Sequence, residues 1–274
     1  MNLLSESSAV VQLLGLPTDV NSSFLRGTAA APALIRQALY SDSSNASAED
    51  GRELGKQIRL FDHGDLVLTE TSSDHARISA AAVDACRSGP LLSLGGDHSV
   101  SFPVIEALAK IHGPLNILHF DAHPDLYDNF LDNPRSHASP FARILELGLA
   151  TRLVQVGIRT LNSHQAEQAK RFNVEIVGWK DFDPSRVPIP QAPLYVSIDL
   201  DALDPAFAPG VSHYEPGGLS VRDILAILHR IEEPIIGADV VEYNPTRDNQ
   251  RLTAYVAAKF VKELAACMTL PSRP

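Results

Sequence analysis

Aspartate and histidine are concentrated in three short segments: Gly95-Gly96-Asp97-His98-Ser99, Asp121-Ala122-His123-Pro124-Asp125, and Ser197-Ile198-Asp199-Leu200-Asp201, which runs on to Asp204-Pro205. Each follows an apolar, strand-like run. In an extended chain alternate side chains point the same way, so Asp121, His123 and Asp125 are expected to share a face, as are Asp199 and Asp201. Carboxylates gathered in one partly buried pocket repel each other: two unit charges ~4 Å apart cost about 4 kcal/mol at an effective dielectric of about 20. Several such pairs exceed the roughly 5–15 kcal/mol by which a typical domain is stable. No Lys or Arg lies inside the segments, so protons, outside cations or metal ions must supply the balance. Two divalent cations would offset Asp121, Asp125, Asp199 and Asp201, while His98 and His123 add neutral nitrogen ligands. Carboxylate-dominated ligation with some imidazole suits Mn²⁺, and two ions about 3.5–4 Å apart can share a water and lower its pKa. A single DxHxD is often only a turn; three acidic segments at strand ends point to a metal site.

The elements that must position these segments follow from hydrophobic periodicity. Strands are expected over Val10–Leu16, Leu91–Leu94, Asn116–Phe120, Leu153–Ile158, Val174–Val177, Leu194–Asp199 and Ile235–Glu242. Helices are expected over Ala31–Leu39, Asp74–Cys86, Phe102–Ile111, Ala138–Leu147, Ser163–Phe172, Val221–Arg230 and Thr253–Ala266, with a polar loop over Ser41–Gly55. This alternation implies a three-layer α/β/α fold with a mainly parallel central sheet, whose ligands sit at the carboxyl ends of the strands. No linker interrupts the pattern, so residues 1–274 are expected to form a single domain.

Composition narrows the function. With 274 residues, 45% hydrophobic and 20% charged, the chain has ordinary globular proportions. A formal net charge of −10 disfavours a nucleic-acid partner, and no apolar run approaches the ~20 residues that cross a bilayer. Cys86 and Cys267 show no metal or CxxC spacing, which fits free thiols in a reducing compartment. The start MNLLSESSAVVQ lacks a basic segment followed by a long apolar one. The glycosylation patterns at Asn21 and Asn45 are therefore read as chance.

GGDHS, DAHPD and SIDLDALDPAFAPG resemble the three signatures of the arginase/agmatinase (ureohydrolase) family. LLGLPTDVNSSFLRGTAAAPALIR, SHASPFARILELG, RLVQVGIRT, PGVSHYEPGGLS and GADVVEYNP look like its plant-type arginase branch, and the resemblance runs from about Val10 to Ala266. It implies an arginase-like fold and a hydrolase holding two Mn²⁺ per subunit. One ion would be held by His98, Asp121, Asp125 and Asp199, the other by Asp121, His123, Asp199 and Asp201. Glu242 matches the acidic residue that anchors the guanidinium, and His137 the histidine beside the leaving amine. Asp125 would shuttle a proton. The chemistry is consistent with these roles: a guanidinium stays protonated and a carboxylate can pair with it bidentately, while a leaving amine wants a donor with a pKa near neutrality.

Asp97, Ser197 and Asp204 are expected to orient the ligands, with turn formation the other reading for Asp97 and Asp204. His119, His213 and Trp179 are read as structural. L-arginine is the expected substrate, with agmatine and other guanidino acids as alternatives. The tail would meet Asn133, Ser136 and Ser139, which could bind an α-carboxylate, and Arg135 could pair with one. A one-zinc deacetylase of the same broad fold would not need His98, Asp125 and Asp201 together, and an inactive partner-binding homologue would be expected to have lost ligands. The resemblance implies a homo-oligomer, a trimer or hexamer. The chain begins almost at its first strand, without a transit-like extension, so a cytoplasmic address is expected.

Overall fold

The computed structural model describes residues 10–180 and 182–269. Residues 1–9, on which most of the reading against a signal peptide rests, lie outside them. In chain order the elements are β1 (Val10–Leu16), α1 (Ala31–Leu39), β2 (Arg59–Asp65), α2 (Asp74–Cys86), β3 (Leu91–Gly95), α3 (Ser101–His112), β4 (Leu115–Phe120), α4 (Pro140–Glu146), β5 (Ala150–Val156), α5 (Ser163–Arg171), β6 (Glu175–Val177), β7 (Leu194–Asp199), α6 (Val221–Leu228), β8 (Ile235–Val241) and α7 (Leu252–Met268).

All the strands join one eight-stranded sheet in the order β2-β1-β3-β8-β7-β4-β5-β6, and every neighbouring pair is parallel. Its inner strands β1, β3, β8, β7 and β4 are apolar almost throughout because both faces are covered. Along β7, Leu194, Val196 and Ile198 enter the core layer built with α1, α6 and α7, while Tyr195 enters the opposite layer with α2, α3 and α4. This is the expected three-layer α/β/α fold. Among the described residues no helix is long and apolar enough to cross a membrane.

One strand was not foreseen. The sequence of β2, RLFDHGD, has no buried position and four carboxylate or basic side chains. Its strand character comes from edge pairing to β1, not from a hydrophobic face, so periodicity gives no signal for it.

The order of the middle strands builds the site. β7 and β8, late in the chain, fill the gap between β3 and β4, so the carboxyl ends of β3, β8, β7 and β4 lie side by side. The loop after β1 is pressed against this edge. Gly96 N–H donates to Leu16 O at 3.0 Å and Asp97 N–H to Thr18 O at 2.9 Å. A Cβ on Gly96 would lie 1.8 Å from Thr18 O, so this approach requires glycine.

Candidate metal centre and catalytic pocket

Each acidic segment leaves its strand by a turn rather than in extended form. After β4, Asp125 adopts φ 51°. After β7, the chain enters a 3-10 turn at Leu200, where Asp199 accepts the N–H of Asp201. The expected convergence is present, but its cause is different: turns and a left-handed backbone at Asp125 aim the carboxylates, not alternation along an extended chain. Glu242, just past β8, also has positive φ, 64°. Non-glycine residues held there carry strain of a kind that clusters at functional sites.

His98 lies at the centre, fully buried. Its Nε2 is within 3.0 Å of Ser197 Oγ. Its Nδ1 faces Asp121 Oδ2 at 3.2 Å, Asp125 Oδ2 at 3.1 Å and Asp199 Oδ2 at 3.1 Å, yet makes no hydrogen bond. A buried nitrogen without a hydrogen bond, ringed by three carboxylate oxygens, is the donor set of a divalent cation. Next to it, His123 Nδ1 lies 3.1 Å from Asp201 Oδ2 and 3.4 Å from Asp121 Oδ1. Asp121 therefore presents one oxygen to the His98 group and the other to the His123 group. The residues present fit metal binding.

The charges agree. Burial opposes protonation of His98, but Asp121, Asp125 and Asp199 outweigh it and hold the ring well above its ordinary pKa. Burial and the charges of Asp201 and Asp121 push Asp199 upward. Burial and Asp121 push Asp125 up to about 7. In the metal-free fold, protons thus hold the positive charge that cations can supply.

Glu242 forms the wall above. Its Oε1 accepts the backbone N–H of His98 at 2.8 Å and His137 Nδ1 at 2.8 Å. Among the described residues no hydrogen bond reaches Oε2, so the protein's own contacts leave one oxygen, not two, for the pairing expected of Glu242. His137 is held from its other side by Ser23, whose N–H and Oγ lie 3.1 and 2.7 Å from Nε2. Burial would lower the pKa of His137, but Glu242 more than compensates and raises it to about 9. Around these groups lies a cavity of about 200 Å³ that also takes in Tyr127, Phe130, Thr160, Gln165, His213 and Glu215.

The residues expected at the substrate tail lie elsewhere. Asn133, Ser136, Ser139 and Arg135 line a neighbouring cavity of about 250 Å³. The turn that carries His137 into the catalytic pocket directs them to its other side. Asn133 Nδ2 donates to Asn21 Oδ1 at 3.0 Å. Ser197 contacts His98 as expected, whereas among the described residues neither Asp97 nor Asp204 hydrogen-bonds a side chain of the candidate metal site. Asp97 accepts Asn21 N–H and Ser99 N–H, fastening the β1 loop to β3. Asp204 accepts Gly217 and Gly218 N–H and closes a loop.

Sequence reasoning passed over several supports. His119, read as structural, places Nε2 2.9 Å from Asp121 Oδ2, and Gln155 Nε2 lies 3.0 Å from its Nδ1. With both nitrogens engaged, His119 orients Asp121. Asp239, buried in β8, accepts the hydroxyls of Ser101, Tyr195 and Ser197, each at 2.6 Å. It fixes Ser197 and through it His98. His213, also read as structural, lies 5.4 Å from His137 and 5.7 Å from His123, ring to ring. Of these, only the two histidines carried a sequence signal, their nearness to motifs. Trp179 is consistent with packing: its indole N–H donates to Ile158 O at 2.8 Å.

The "Arginase family" model matches residues 9–267. The chain belongs to the arginase family. It is 49% identical to "Arginase 1, mitochondrial" of Arabidopsis thaliana over 97% of this chain and 83% of that relative. It is 33% identical to "Agmatinase" of Bacillus cereus over 94% and 91% of the two chains. The solved structure "Arginase from Medicago truncatula" superposes with a TM-score of 0.89 at 45% identity, covering 95% of this chain and 88% of that one. The expected family and arginase-like fold therefore hold. The expected cytoplasmic address does not: relatives of Arabidopsis thaliana and Oryza sativa subsp. indica at 47–49% identity are named mitochondrial or chloroplastic/mitochondrial.

Proposed function

We propose that this chain is a binuclear manganese hydrolase that cleaves L-arginine to ornithine and urea, with residues 1–274 acting as one catalytic domain. The observation that carries the reading is the cavity that joins the His98–Asp121–Asp125–Asp199 donor cluster to the one open oxygen of Glu242. The plant arginases among the relatives support arginine as the substrate. One ion is assigned to His98, Asp121, Asp125 and Asp199, the other to Asp121, His123, Asp199 and Asp201.

The metal pair, when bound, lowers the pKa of a water and so supplies a nucleophile at neutral pH. Glu242 Oε2 accepts a guanidinium N–H and orients the carbon for attack. Asp125, which lines the cavity, moves a proton to the departing nitrogen. His137, tethered to Glu242, protonates the product amine. A homotrimer or hexamer belongs to the same proposal.

A specific observation favours agmatine as the second reading. Among the described residues no Lys or Arg lines the catalytic cavity, while Glu215 does, with Oε1 3.9 Å from His123 Nε2. A negative rim suits a cationic tail better than a carboxylate. The deciding experiment is urea release from manganese-loaded protein on arginine, agmatine and 4-guanidinobutyrate in parallel. Preference for arginine supports the proposal, preference for agmatine selects the second reading, and no urea from any of them rejects both.

A further inference from the structure

His137 has two ring nitrogens and both are committed. Nδ1 faces Glu242 Oε1 at 2.8 Å, and a carboxylate oxygen can only accept, so Nδ1 carries a proton in every state. The proton that His137 gains and loses is therefore on Nε2. Among the described residues, the only one hydrogen-bonded to Nε2 is Ser23, through two different atoms: the backbone N–H at 3.1 Å and Oγ at 2.7 Å. These atoms suit opposite protonation states. The N–H can only donate and needs a bare Nε2, whereas Oγ can donate to a bare Nε2 and is the one of the two that can accept from a protonated one.

Resting on the amidinohydrolase reading above, we infer that Ser23 is the positioning residue that lets His137 exchange its proton without moving. Its N–H supports the neutral ring, its Oγ supports the charged ring, and the side chain links Nε2 to the cavity. On accepting a proton, Nε2–H turns to Ser23 Oγ. On donating, the proton leaves Nε2 for the amine directly or through the Ser23 hydroxyl, which gives up its own proton as it takes one. No bond other than these O–H and N–H bonds changes.

The placement of Ser23 is built, not incidental. His137 N–H donates to Asn21 O at 3.1 Å, and Asn21 N–H donates to buried Asp97 at 2.9 Å. The β1 loop is thus fastened both to the end of β3 and to the His137 loop. The charged groups facing His137 are Glu242 from the end of β8, Asp97 from the end of β3 and Asp125 from the turn after β4. His213 lies alongside. Ser23 is the neutral member of this set and can select between ring states by hydrogen bonding alone.

The test uses Ser23→Ala and Ser23→Thr in manganese-loaded enzyme, with nitrogen NMR of the His137 ring and kcat and KM across pH. Ser23→Ala keeps the N–H but removes the acceptor for the charged ring. The expected result is a His137 titration about one pH unit lower. With it, kcat on the alkaline side falls about tenfold while KM stays unchanged, and Ser23→Thr restores both. A titration that does not move, or a loss of rate equal at every pH, overturns the assignment. If wild-type enzyme releases no urea while the ring titration still moves in Ser23→Ala, the amidinohydrolase reading fails and the Ser23 contact stands.

Discussion

Glu242 and His137 share one carboxylate oxygen contact: Nδ1 to Oε1 at 2.8 Å, on the same oxygen that takes the His98 N–H at 2.8 Å. The carboxylate is divided: the protein holds Oε1, and Oε2 is the oxygen proposed to meet substrate. Glu242→Gln can keep the accepting side toward His98 and His137, but then turns an NH₂ toward the guanidinium, donor against donor. A hydrogen bond to a charged partner is worth about 1.5–3 kcal/mol, so kcat/KM should fall on the order of 100-fold while metal content stays unchanged. Urea assays with elemental analysis check this, and wild-type activity would remove Glu242 from the substrate site.

Asp239 is expected to matter without touching a ligand. Asp239→Asn replaces one acceptor oxygen by a donor among the hydroxyls of Ser101, Tyr195 and Ser197, releasing Ser197 from its fixed contact with His98. Loss of such outer partners weakens metal affinity by about 10–100-fold. Titration of apo-protein with Mn²⁺ measures it; unchanged affinity in a folded variant would limit Asp239 to packing.

Metal removal should make stability depend on pH in a definite sense. In the metal-free fold, burial and Asp121 raise Asp125 to about 7, and burial and Glu242 raise Asp97 to about 6. Both carboxyls bind protons in the fold at pH values where the unfolded chain, near pKa 3.9, has released them. Their contribution is therefore lost as pH rises from about 4 to about 7. Chelated protein should lose thermal stability over that window, and Asp125→Asn should flatten part of the loss. Manganese-loaded protein should not show the Asp125 part. Melting curves with and without chelator at several pH values test it.

Glu215 sets the charge of the pocket mouth. Glu215→Gln should raise kcat/KM for 4-guanidinobutyrate and lower it for agmatine, each by roughly 2- to 5-fold, the scale of a solvent-screened charge interaction of up to ~1 kcal/mol. Equal effects on both substrates would show that Glu215 does not read the tail.

The sequence by itself determined the strand-helix alternation and the residues that gather as a candidate metal site. These are local signals: an apolar strand followed at once by DxHxD or DxD carries its own evidence, and the positions His98, Asp121, His123, Asp125, Asp199 and Asp201 do come together. Tertiary structure decided what depends on distant partners. Asp239 is an isolated acid in the apolar run of β8, and it gains its role only because β7 and β8 are inserted between β3 and β4. Ser23 meets His137 only because the Gly96 contact brings the β1 loop to the sheet edge. The fate of Asn133, Ser136 and Ser139 rested on the path of one turn, which points His137 into one cavity and these three into the next. Residue type and spacing report what a segment can do; the direction in which a loop side chain points is set by backbone dihedrals and packing that no local pattern encodes.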